Sequence, residues 1–132
     1  MKEVLDSRFL IEHYYSDNKE TRQKTTKKLK SLIQSKEGIV PTIVISETIS
    51  IICQKIGKAE AEMCYSDIVN SGMQIQELNA RIARHAGFIK CQHRSLPMGD
   101  CIIAATAIAN QAKVLSDDPH FDEVEETKRT WI

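Results

Sequence analysis

The residues of this chain best suited to chemistry are acids at separated positions. In the stretch LPMGDCIIAATAIANQAKVLSDDPHF, residues 96–121, Asp100 heads an almost wholly apolar run and the pair Asp117 and Asp118 follows a short β-type segment. A helix that is apolar all round is normally buried, so Asp100 is expected where a core helix begins, its charge favoured by the free amides of the first turn. Asp6 follows the short strand signal Glu3, Val4, Leu5, and Glu47 lies two positions from both Ile45 and Ile49 on a candidate helix, pointing off its main apolar line. If Asp6, Glu47, Asp100 and one of Asp117 or Asp118 converge, they repel. Such a cluster is stable as anions only where cations neutralise it. Carboxylates and water select hard ions such as Mg²⁺ or Mn²⁺ over zinc, and sites of that kind serve phosphodiester hydrolysis.

Convergence requires elements that bring these acids to one edge. After the first strand, Asp6 or Ser7 caps a helix carrying Phe9, Leu10, Ile11 and Tyr14. A helix from about Lys19 to Lys36 has Leu29, Leu32 and Ile33 on one face and lysines around them, with Gly38 as its C-terminal stop. Ile39 and Val40 read as a short buried strand. Pro41 then suits the first turn of a helix whose Ile45, Ile49, Ile52 and Ile56 repeat at helical spacing up to Gly57. Lys58 to Ser71 reads as a helix with Ala59, Met63 and Ile68 or Val69 on its apolar side, closed by Gly72. Met73 to Glu77 alternates as a strand, and Asn79 is placed to cap a helix carrying Ile82, Ala83, Ala86 and Ile89. Thr130 to Ile132 offers one edge strand. Strands separated by helices indicate βα units and a parallel sheet covered on both faces, where sites lie beyond the carboxyl ends of the strands. Asp6, Asp117 and Asp118 fall at that edge.

The chain of 132 residues fits one domain, residues 1–132, and 42% hydrophobic with 27% charged residues is ordinary for a globular protein. No run approaches the roughly 18 apolar residues of a membrane span, and MKEVLDSRFL lacks a signal-peptide core, so a cytoplasmic protein with no membrane partner is expected. Cys53, Cys64, Cys91 and Cys101 form no C-x-x-C pair and read as reduced core thiols. Cys91 and His93 have no second pair with which to build a zinc site. Eighteen basic and eighteen acidic residues cancel, which counts against an extended nucleic-acid groove, yet Lys19 to Lys36 is strongly basic and Asp117 to Glu126 strongly acidic. The basic run has the bland reading of a solvated helix face beside any contact with RNA. Tyr14 and Tyr15 suit either the core or a partner groove.

The segments VLDS at residues 4–7, ISET at 45–48, LPMGDCIIAATA at 96–107 and VLSDDPHF at 114–121 resemble, in order and spacing, the successive motifs of PIN-domain ribonucleases, especially VapC-type toxins. The resemblance implies a three-layer α/β/α sandwich around a mostly parallel sheet of about five strands, and a Mg²⁺-dependent endoribonuclease site in which Mn²⁺ can substitute. Asp6, Glu47 and Asp100 match the three most typical acids. The fourth falls on Asp118, with Asp117 as competitor, because Ser116 occupies the hydroxyl place two residues before it. Asp6, Asp100 and Asp118 would hold metal, and Ser7 and Ser116 would support a bound water or phosphate. Cys101, where the family often has alanine, bears on packing. His120 reads as a structural contact of its turn rather than a general base; His13, His85 and His93 have no motif behind them. The resemblance also implies RNA as substrate, a homodimer, and a cognate antitoxin that blocks the site with a basic side chain.

Other acid-bearing folds fit less well. A dehalogenase-like phosphatase needs an acid at position 8, where Arg8 stands, and a receiver domain needs an aspartate after its third strand, which the residues near Leu78 do not supply. The remaining alternative is a catalytically silent PIN-like module that binds RNA or protein; its mark would be lost ligand acids.

Overall fold

Strand β1 (Glu3–Leu5) is buried along its whole length, as befits the centre of a sheet covered on both faces. The computed structural model describes residues 1–132. The other strands are β2 (Gly38–Pro41), β3 (Gln74–Gln76), β4 (Lys113–Leu115) and β5 (Arg129–Thr130). They form one sheet in the order β3-β2-β1-β4-β5, and every pairing is parallel. Between them run α1 (Ser7–Tyr15), α2 (Lys19–Ser35), α3 (Thr42–Lys55), α4 (Lys58–Val69), α5 (Ala80–Gln92) and α6 (Met98–Ala109). Right-handed crossovers put α1 to α4 on one face and α5 with α6 on the other, giving the expected three-layer α/β/α sandwich. The chain leaves β1 toward β2 on one side, while β4 lies on the other. The carboxyl ends of β1 and β4 therefore flank the point where strand order reverses, the natural crevice of such a sheet.

Val4, Leu5, Ile39, Val40, Val114 and Leu115 fill the sheet's interior and pack against Phe9, Leu10, Ile103 and Phe121. Asp6, Asn18 and Asn79 each accept a backbone N–H at a helix start, a capping bond worth about 1 kcal/mol. No helix is long and apolar enough to cross a membrane.

Several local expectations are corrected. Lys36, in the left-handed conformation at φ 60°, ends α2; Gly38 instead begins β2, where an added Cβ would meet the Met73 thioether at 2.7 Å. Pro41 is the last residue of β2 and precedes the first turn of α3. The buried line of α3 is Val44, Thr48 and Ile52, while Ile56 is exposed, because α3 packs between α1 and α4 as well as on the sheet. On α4 the buried residues are Ala61, Cys64 and Ile68, and Met63 is exposed. Cys64 and Cys101 are buried thiols, but Cys53 and Cys91 are exposed, since each sits on the solvent side of its helix.

Candidate active site

Asp6 is the hinge between β1 and α1. Its Oδ1 accepts the Ser7 N–H at 2.8 Å, and its Oδ2 accepts the Ser116 hydroxyl at 2.6 Å. Ser116 follows β4 and is fully buried; its oxygen in turn accepts the Asp118 N–H at 3.0 Å. One serine thus ties the ends of two neighbouring strands and fixes where Asp118 begins. Asp118 accepts the His120 N–H at 2.9 Å, capping the 3₁₀ turn Pro119–Glu123.

Asp100 enters from the first turn of α6. The His120 ring nitrogen Nδ1 stands 3.3 Å from Asp118 and 3.7 Å from Asp100. Asp100, Asp118 and His120 each offer a ligand atom, all within 4.8 Å of one another. Phe121 is buried, whereas His120 is largely exposed and faces the acids. The residue order gave His120 only a structural contact within its turn and did not announce this orientation.

Glu47 arrives from α3. Its Oε1 is buried with no hydrogen-bond partner, and its Oε2 lies 2.8 Å from where a Cβ on Gly99 would be. Gly99 is therefore a close-approach position that sequence reasoning missed: a Cβ there would make the Glu47 carboxylate shift. A glycine inside a helical turn, destabilising by about 1 kcal/mol relative to alanine, was the available signal.

Asp117 is directed elsewhere, its carboxylate paired with the Arg8 guanidinium. Ser7 is buried, with its hydroxyl 3.4 Å from Asp6.

Burial raises the Asp6 carboxyl against the lowering bonds from Ser116 and Ser7, with the Asp118 charge adding to the rise. Burial, then Asp6 and Asp100, raise Glu47, and the Ser7 hydroxyl opposes the shift. Asp100 is pushed up to about 6, first by burial and then by Asp6 and Asp118. Burial beside other acids thus sets the direction at Asp100. The raised carboxyls of Asp6, Glu47 and Asp100, one Glu47 oxygen being buried and unpartnered, together with Asp118 make a donor set that fits a hard divalent cation, with the imidazole of His120 as a further donor.

Residues 4–127 match the family model described as PIN domain. No curated protein sequence matches the chain. Among solved structures, VapBC2 from Rickettsia felis bound to a DNA fragment from their promoter has a TM-score of 0.79 at 16% identity, with 100% of this chain and 99% of that one covered. The DNA-bound VapBC of Salmonella typhimurium has a TM-score of 0.76 at 13% identity, with 99% and 98% covered. A Mycobacterium tuberculosis VapC described as a sarcin-ricin loop cleaving toxin has a TM-score of 0.72 at 13% identity, with 92% and 94% covered. At these identities the likeness is one of fold.

Proposed function

Because the chain belongs to the PIN domain family, we propose that it is a metal-dependent endoribonuclease and the toxin of a toxin–antitoxin pair. The observation that carries this reading is the cluster of Asp100 and Asp118 with His120 at one sheet crevice, beside an Asp6 held by Ser116 and a Glu47 with one buried, unpartnered oxygen, their charges acting on one another. Asp6, Asp100 and Asp118 would hold Mg²⁺ or Mn²⁺, which when bound activates water and offsets charge on the scissile phosphate. Ser116 holds Asp6 in place and sets the position of Asp118 through its backbone. Glu47 positions or deprotonates the attacking water; its raised pKa brings it closer to the working range of a general base at neutral pH. Hydrolysis in this manner leaves 5′-phosphate and 3′-hydroxyl ends. The Arg8–Asp117 ion pair supports Asp118 over Asp117 as the fourth acid.

The VapBC assemblies among the structural relatives support a cognate antitoxin as partner, and the reading includes a homodimer acting on RNA in the cytoplasm.

The test is cleavage of total RNA with Mg²⁺ or Mn²⁺, with end mapping. The expected result is 5′-phosphate products, abolished by EDTA and reduced by more than about 100-fold in Asp100→Asn, whose circular dichroism stays native. Undiminished cleavage by that variant, or none by the wild type with either ion, overturns the reading.

A further inference from the structure

One face of α2 gathers cations that have no acidic partner. Lys19, Arg22, Lys27 and Lys30 recur at helical spacing, with Gln23 and Thr26 between them, and together with His13 of α1 they line a shallow concavity of ≈ 550 Å³. Its lining contains no apolar side chain. Of the acids around α2, Glu20 pairs with Lys24 and Glu3 of β1 with Lys28, while the Asp67 charge acts on His13 at the edge of the concavity. The four cations are exposed and make no ion pair, on a chain whose charges sum to zero. A local concentration of this kind on a neutral protein creates a field that attracts polyanions.

Without a bound cation, the acidic crevice itself repels a phosphate chain. An enzyme that acts there on RNA gains from cations elsewhere that hold its substrate. We propose that the basic face of α2 docks the phosphate backbone of RNA outside the catalytic crevice; the inference rests on the proposed action on RNA. Lysine and arginine neutralise phosphates, while the Gln23 amide and Thr26 hydroxyl are suited to donate to phosphate oxygens. A protein segment is a poorer occupant, since the centre of a protein interface depends on apolar and aromatic anchors. Such residues, Leu10, Tyr14, Leu29 and Ile33, are absent from this lining and belong to an adjoining hollow that meets it at His13.

The experiment measures binding of fluorescein-labelled oligo(U) to the full chain in EDTA, by anisotropy over a range of KCl concentrations. It compares the wild type, Asp100→Asn, and the triple variant Arg22→Ala, Lys27→Ala, Lys30→Ala. The triple variant is expected to bind at least about 10-fold more weakly, with a salt slope smaller by about 2, as the loss of three phosphate contacts to a single strand requires. Unchanged affinity and slope in a natively folded triple variant overturn the inference. Loss of oligo(U) binding in the triple variant, beside a wild type that never cleaves RNA, supports the docking surface and removes only the nuclease reading.

Discussion

Asp117 and Asp118 share a peptide bond and meet opposite surroundings. The first is paired with Arg8 at the surface, and the second shares the Asp100 and His120 cluster. Charge type alone left both open as the fourth acid, because composition at two adjacent positions cannot say which side chain turns inward. Under the proposed mechanism, Asp118→Asn should lower RNA cleavage by about 100-fold or more, while Asp117→Asn stays within about threefold. Equal losses from both would place the ion pair inside the catalytic machinery. Gly99 gives a sharper residue-scale test. Alanine there gains up to about 1 kcal/mol of helix propensity, yet its Cβ would meet the Glu47 carboxylate at 2.8 Å. Gly99→Ala is therefore expected to cut the cleavage rate by about 10-fold or more while leaving the melting temperature within a few degrees, because displacement of the catalytic geometry costs more rate than stability. Full activity in that variant would mean Glu47 can move aside without consequence.

At the scale of elements, strands and helix starts were legible because each is governed by neighbours in sequence. Asn79 caps α5 and Asp6 caps α1 for reasons that four residues contain. The rotation of α3 was not legible: isoleucine repeats at helical spacing on more than one side of it, and packing between α1, α4 and the sheet selected Val44, Thr48 and Ile52. That rotation also decides where Glu47 points. The connection into α6 shows a similar dependence on tertiary structure. Lys90, in the last turn of α5, donates from Nζ to the carbonyls of Arg94 at 2.7 Å and Leu96 at 2.5 Å, two residues that precede the helix bearing Asp100. Lys90→Met keeps the aliphatic stem and removes both bonds. It should lower stability by about 1–2 kcal/mol in urea unfolding, since bonds to a charged donor are lost at a partly buried carbonyl. It should also reduce the cleavage rate more than apparent RNA affinity. A variant with native stability would show that the loop holds its shape without this lysine.

For the whole molecule, the acidic crevice links folding to pH and, under the proposed function, to metal. A carboxyl raised from 3.8 to about 6 resists ionisation in the native state. Its favourable contribution is therefore complete below about pH 4 and is lost as pH rises through about 6. Asp6 and Glu47 are raised and act in the same direction. His13 is lowered by burial, so its contribution is present above the ordinary histidine value of 6.5 and is lost as pH falls; the raw pH profile mixes both signs. Comparing wild type with Asp100→Asn isolates the carboxylate. Without metal, the two proteins should melt together near pH 4, and the variant should become the more stable as pH approaches 7. The full shift corresponds to an upper limit of about 3 kcal/mol, which solvent screening reduces to about 1–2 kcal/mol, or several degrees in melting temperature for a chain of this length. Millimolar Mg²⁺ should reverse the order at pH 7, because a cation that binds only the native cluster stabilises it by mass action, and Asp100→Asn has lost a ligand. Calorimetry at pH 4 and pH 7, with and without the ion, tests both halves. A wild type whose melting temperature ignores Mg²⁺ at pH 7 would remove the cation from the crevice, even if the metal-free pH dependence follows the predicted sign.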